Sequence, residues 1–158
     1  MKVVYTCYGG AHSSPVAAAI HLGWLSSDRV PEVRELLDVP RFDRPRSRDH
    51  GLLEHMGQDE AGHDVYVMGR GPRPEPVEQA LESGYEAAGK DPDELLIVST
   101  LRCVNGLMRV GGFFSRYLGW VRVGRPIVAW GTQRAFFSLV QLVFETKERL
   151  RAMETERK

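Results

Sequence analysis

Near the N-terminus the sequence reads Cys7-Tyr8-Gly9-Gly10-Ala11-His12-Ser13-Ser14-Pro15, an order of residue types suited to nucleophilic chemistry on an anion. Adjacent glycines tolerate torsions and close backbone approach that other residues resist. Ser14 is a favourable helix cap and Pro15 a favourable first helical residue. Together they set a helix N-terminus, with its free N–H groups and positive dipole end, directly behind the loop. A thiol at the mouth of such a loop is favoured as the thiolate, its nucleophilic form. Cys7 is therefore the candidate nucleophile or phosphoryl carrier, with His12 and Ser13 as helpers. Gly9, Gly10, Ala11 and Ser14 are the candidate anion-binding positions. The alternative is a small buried thiol beside a tight strand-to-helix turn.

The loop itself lacks a cation, and the chain supplies several elsewhere. Between Leu95 and Phe144 there is no Asp or Glu, yet Arg102, Arg109, Arg116, Arg122, Arg125 and Arg134 fall there. From Asp49 to Glu94, twelve carboxylates stand against Arg70, Arg73 and Lys90. Arg70, Arg102 and Arg134 follow predicted strand ends and are the candidate anion-binding side chains. The expected ligand is a small phosphorylated or other anionic molecule, and a solvated Arg-rich surface is the alternative. Nucleic acid is not an expected partner, because the net charge is zero and the basic stretch fits no helix-turn-helix, zinc-finger or RNA-binding pattern.

Other polar residues carry weaker chemistry. His12, His50, His55 and His63 could gather with Cys7, Asp49 or Asp59 around a metal, since imidazole and carboxylate suit zinc, iron or manganese. Their spacing matches no ligand motif, and neither a metal nor another cofactor is expected. His21 reads as structural. Cys7 and Cys103 both fall at predicted strand ends and could form a reversible disulfide, against the plainer reading of two unrelated buried thiols. Asn105-Gly106 and Gly131-Thr132-Gln133 read as turns that start helices, and Trp120 and Trp130 as packing residues.

The elements that must position these residues show in the apolar pattern. Val3 to Cys7, Val65 to Met68, Leu95 to Thr100 and Ile127 to Trp130 are short apolar runs that read as buried strands, each followed by helical periodicity. The clearest helix has Val77, Ala80, Leu81, Gly84, Tyr85 and Ala88 on one face and Glu75, Glu78, Glu82 and Glu86 on the other. Leu107, Val110, Phe114 and Leu118 mark another, and Phe136, Leu139, Val140, Val143 and Phe144 the last. Alternating strand and helix predicts a three-layer α/β domain, with a mainly parallel four-stranded sheet and helices on both faces. The chain reads as one domain over residues 1–158. Residues 28–62 read as a long irregular insertion or lid, with one short helix at Pro31 to Leu37 and the capacity to hold a protein partner. Residues 153–158 read as a frayed tail.

The bulk composition sets the compartment. Two cysteines in 158 residues are too few for a disulfide scaffold, and no signal-peptide pattern opens the chain. Apolar stretches are broken by Gly or Arg short of the roughly 18–20 residues of a membrane helix. A cytoplasmic protein with no membrane partner is the expectation.

The residues also carry resemblances. Tyr5 to Ser14, Val16 to Gly23, Asp49-His50-Gly51 and Val65 to Arg70 resemble an uncharacterised family of endospore-forming Firmicutes, domain of unknown function three-one-eight-nine. That resemblance implies a sporulation-associated role. Cys7-x-Gly9-Gly10-x-His12-Ser13-Ser14-Pro15 is similar to the phosphate loop of low-molecular-weight protein tyrosine phosphatases, Cys-x-Gly-Asn-x-Cys-Arg-Ser-Pro. It is also similar to the phosphocysteine loop of phosphotransferase-system IIB components. Ser13 stands where the phosphatase loop has its phosphate-clamping Arg, and Asp91-Pro92 precedes the third predicted strand instead of lying late in the chain. The expected function is thus binding of a phosphate-like anion at the first loop, with cysteine-based phosphoryl transfer or phosphatase-like activity. The alternative is a non-enzymatic regulatory or partner-binding protein.

Overall fold

The computed structural model describes residues 1–44, 50–114 and 121–157. Asp49, Arg116, Leu118, Trp120 and the side chain of Arg122 lie outside the described residues. The strands are β1 (Lys2–Cys7), β2 (Leu53–Gln58), β3 (Asp64–Gly69) and β4 (Leu95–Ser99). The helices are α1 (Ser13–His21), α2 (Val33–Asp38), α3 (Pro74–Ala87), α4 (Gly106–Gly112) and α5 (Val121–Glu156). Three of the four predicted strands form, and each is a buried or half-buried apolar run.

The chain is an α/β protein with one four-stranded sheet in the order β2-β3-β1-β4. β1 lies in the middle, parallel to β3 on one side and to β4 on the other. The expected mainly parallel sheet is corrected to a mixed one, because β2 pairs antiparallel with β3 as a hairpin. That hairpin also replaces part of the irregular segment expected over residues 28–62, which holds both α2 and β2. β2 reads Leu-Glu-His-Met-Gly-Gln and buries neither face fully. An edge strand of this kind lacks the apolar alternation by which a strand is recognised.

The fourth predicted strand, Ile127 to Trp130, is helical and lies inside α5. A four-residue apolar run has no period of its own, and tertiary packing decides its form. Here α5 presses on α4 at two glycines. A Cβ on Gly111 would stand 2.6 Å from the Val128 nitrogen, and one on Gly131 would stand 2.8 Å from that of Met108. Asn105 starts α4 as expected, accepting from the Met108 N–H at 3.0 Å and donating to the Gly131 carbonyl at 2.7 Å. Gly131-Thr132-Gln133 is accordingly mid-helix, not a turn, and Arg134 follows no strand end. At its far end α5 continues to Glu156, and Arg157 pairs with Asp91 at 2.7 Å. By length and composition α5 is also apolar enough to cross a membrane, contrary to expectation, with half of its apolar window buried in the protein.

The core lies between the sheet and α1, α2 and α5, around Tyr5, Val16, Leu36, Phe136 and Leu139. A chain of buried polar groups crosses it. Asp59 Oδ2 meets His21 Nε2 and His63 Nδ1, both at 2.9 Å, while Oδ1 accepts the N–H groups of Ala61 and His63. His21 Nδ1 meets the Tyr5 hydroxyl at 2.8 Å, and His63 Nε2 meets Glu154 at 2.8 Å. Burial pushes the Tyr5 phenol up and holds His21 below the ordinary imidazole range. Neutral His21 therefore donates to Asp59 and accepts from Tyr5. The chain ties β1, α1, the hairpin turn and α5 together.

Two measurements test this account. Burial alone would raise the Asp59 carboxyl, but donors from His21 and His63 outweigh it and hold the group at about 2. A depressed carboxyl contributes stability above its ordinary value of 3.8, lost as pH falls towards about 2. Asp59→Asn should cost roughly 1–3 kcal/mol at neutral pH, and its gap from wild type in urea unfolding should close between those pH values. A gap independent of pH would show that the carboxylate charge is immaterial. Separately, a Cβ on Gly69 would stand 2.7 Å from the Gly9 carbonyl carbon, whereas one on Gly84 meets nothing within 4 Å. Gly69→Ala should destabilise by roughly 1–3 kcal/mol. Gly84→Ala, inside α3, should stabilise by about 0.5–1 kcal/mol.

Candidate functional site

β1 ends at Cys7, and the chain turns at once into the loop that leads to α1. Gly10 adopts φ +65°, where L side chains are strained. A Cβ there would also stand 2.7 Å from the Gly69 nitrogen. The end of β3 thus lies directly against the loop, and backbone bonds hold it: Arg70 N–H donates to the Cys7 carbonyl at 3.0 Å and Gly71 N–H to that of Tyr8 at 2.9 Å. The glycine pair serves close approach, as the sequence indicates.

The Cys7 sulfur sits inside this curl, 5% exposed. It accepts from the Gly10 N–H and from the Ser14 hydroxyl, each at 3.1 Å. Burial pushes the thiol up. The Ser14 hydroxyl, with the backbone N–H groups of Ser14, Ala11 and His12, pulls it further the other way, and the net direction is downward. Donors converging on one sulfur stabilise its anion. Ser14 plays a different part from the one expected of it. α1 begins at Ser13 with His12 as its cap residue and no side-chain capping bond, while Ser14, inside the first turn, gives its hydroxyl to the sulfur.

Ser13 and His12 point to different neighbours. The Thr100 hydroxyl donates to the Thr6 carbonyl at 2.9 Å, so the Ser13 hydroxyl, 2.7 Å from it, is the donor between the two. Ser13 thereby straps the loop to the end of β4. His12 Nε2 lies 3.1 Å from Asp43 Oδ1, and Asp43 Oδ2 accepts from Arg125 Nε at 3.0 Å. The Asp43 N–H in turn donates to the Ala11 carbonyl at 2.8 Å. Asp43 has a fully buried side chain and φ +53°, and the sequence reading missed it. Its one local signal is an Asp in a Pro- and Arg-rich turn, a residue type that tolerates the left-handed region.

Of the three candidate arginines, Arg70 is the one joined to the loop. Its guanidinium is buried, bonded to Glu78 and, at 2.6 Å, to the Ser99 hydroxyl at the end of β4. Its buried Nε has no hydrogen-bond partner among the described residues. Arg102 pairs with Glu145 of α5, and Arg134 lies on the outer side of α5, 4.5 Å above the Trp130 ring. Cys103 donates weakly to the Ser138 carbonyl at 3.4 Å, its thiol raised by burial, and both cysteines are free. The histidines scatter: His55 meets Asp64 at 3.2 Å, His63 joins the core chain, and His50 rests edge-on to Tyr8. Among the described residues no three His, Cys, Asp or Glu side chains are placed to share a metal ion.

The two thiols provide a test. Alkylation by iodoacetamide, followed against pH with peptide mapping, should give Cys7 an apparent value below the ordinary thiol and Cys103 one above it. Ser14→Ala should raise the Cys7 value, since a hydrogen bond to the anion is lost. A Cys7 that stays unreactive at every pH below about 9 would be a packing residue.

No curated protein and no solved structure matches the chain. Residues 2–148, nearly its whole length, match the family described as Protein of unknown function (DUF3189), and the chain belongs to that family.

Proposed function

We propose that the loop from Cys7 to Ser14 binds a phosphate-like anion and that Cys7 acts on it as a thiolate nucleophile or phosphoryl carrier. The observation that carries this reading is the convergence of the Ser14 hydroxyl and the loop N–H groups on the Cys7 sulfur. A packing cysteine gains nothing from such donors, whereas a thiolate and the oxygens of a bound phosphoryl group both do. In the transfer step the sulfur attacks phosphorus in line and the bond from phosphorus to the leaving oxygen breaks. His12 hands that oxygen a proton. Asp43 and Arg125 fix the imidazole for that role, and its ring is 14% exposed at the loop rim. The phosphoryl group then passes to water or to an acceptor, which separates a phosphatase-like enzyme from a carrier.

Arg70 is the cation we assign to the anion in place of the arginine that Ser13 replaces. Its support is the backbone bond to Cys7 and the buried, unpartnered Nε. We read the layering from the same geometry. Tyr5 meets His21 of α1 on one face, while Arg70, of opposite parity along the strands, meets Glu78 of α3 on the other. A reducing, cytoplasm-like compartment suits the free thiols, and a sporulation-associated role rests on the family resemblance alone.

Intact mass spectrometry after incubation with phosphorylated small molecules and phosphoprotein donors should show a phosphoryl adduct that Cys7→Ser abolishes. His12→Ala should slow adduct formation by roughly 10²–10⁴-fold, the span for general acid catalysis. Arg70→Gln should weaken binding of phosphate or vanadate by roughly 1–3 kcal/mol. No adduct, no turnover and unchanged ligand binding in Cys7→Ser would leave the non-enzymatic, partner-binding reading in its place.

A further inference from the structure

α5 carries two distinct faces. One is core, with Val128, Phe136, Leu139 and Val143 buried. The other bears Trp130, Phe137 and Phe144, seven residues apart and 51%, 56% and 59% exposed. Arg134 and Gln141 stand between them and Glu148 follows Phe144 by four residues, all three exposed. The intervals alternate four and three, the spacing that keeps residues on one stripe of a helix and by which helices pair. Large aromatics aligned in water mark an interaction surface far better than scattered ones do.

We propose that this stripe is a homodimer interface, in which α5 of two copies pack antiparallel about a two-fold axis near Gln141. Charge selects both the occupant and the direction. The polar positions run from cationic Arg134 through neutral Gln141 to anionic Glu148. Antiparallel pairing sets each Arg134 beside Glu148 of the partner subunit and each Phe137 beside Phe144 of the partner subunit. Parallel pairing in register would set Arg134 on Arg134 and Glu148 on Glu148. Among the described residues Arg134 makes no ion pair within its own chain and lies over Trp130, so its charge is open to a partner. Among the described residues Glu148 pairs with the exposed Arg151 alone, at 2.5 Å.

The area is adequate for a two-fold contact. Each half-exposed ring offers on the order of 100 Å², so six rings supply about 600 Å² of a standard interface near 1,600 Å². The flanking long side chains add to it, and an open hollow of about 460 Å³ beside Phe137, lined by Arg102, Cys103 and Gln141, gives an opposing ring room. A membrane surface fits the stripe less well, since Glu148 falls within the apolar face and not opposite it.

Sedimentation equilibrium of the full chain between roughly 1 and 100 µM should show a dimer. Phe137→Glu should make it monomeric with an unchanged circular dichroism spectrum, because the ring lies outside the core. Arg134→Glu and Glu148→Arg should each raise the dissociation constant by about tenfold, since one reversal alters two symmetry-related pairs. The two combined should bring it back to within about threefold of wild type. A wild-type chain that stays monomeric overturns the proposal, and so does a combined variant that fails to recover. Sedimentation of a monomeric wild type with phosphatidylglycerol vesicles would assign the stripe to a membrane surface instead.

Discussion

The candidate site depends on one steric constraint, the contact of Gly9 and Gly10 with Gly69. Two backbones meet there with no side chain between them: a Cβ on Gly10 would fall 2.7 Å from the Gly69 nitrogen, and one on Gly69 would fall 2.7 Å from the Gly9 carbonyl carbon. That closeness bends the loop back over the end of β1 and aims its N–H groups at the Cys7 sulfur. The same Gly69 also accepts from the Gly51 N–H at 2.7 Å, so the residues before β2 hang from one carbonyl at the sheet's edge. Loop, central strand and hairpin are therefore set by the same few atoms. A side chain at Gly69 would disturb the donors around the sulfur without touching it.

The polar chain from Tyr5 to Glu154 does complementary work at the other side of the core. Four of its members come from four separate parts of the sequence, and each buried group finds a partner, the condition under which buried polarity specifies a fold instead of weakening it. Glu154 sits close to the end of α5, so the chain fastens a region that composition alone marks as a charged tail. It also explains why His63, a plausible metal ligand by residue type, is already committed: both ring nitrogens hold carboxylates. His21 fills the structural part expected of it.

Local features of the site were legible and tertiary ones were not. The order Cys-x-Gly-Gly, the helix behind it, and strands β1, β3 and β4 could be read because each depends on neighbours in sequence. Ile127 to Trp130 reads as a strand because a short apolar run is ambiguous, and the contacts that decide its form lie in another helix, at Gly111 and Met108 of α4. β2 was invisible because an edge strand with Glu54, His55 and Gln58 shows no alternation. Asp43 was missed for a deeper reason. Its importance lies in what it touches, His12 and Arg125, and nothing in its own segment encodes that meeting.

The loop from Cys7 to Ser14 carries no arginine, and in the proposed chemistry that has a consequence beyond binding. A fixed guanidinium in the loop stabilises the thiolate and the bound anion alike, and it does so strongly whether or not the anion is present. Here a hydroxyl and backbone N–H groups favour the thiolate, and in the proposed chemistry they are shared with the entering anion. Ser13 spends its hydroxyl on Thr100 and so ties the loop to the end of β4. In the proposed chemistry the compensating charge comes from Arg70, whose guanidinium is held by Glu78 and Ser99. A carboxylate beside that arginine tempers its pull on an anion. If the proposed chemistry holds, donors that must be shared and an arginine already paired with a carboxylate would favour reversible loading of the sulfur over tight retention of free phosphate.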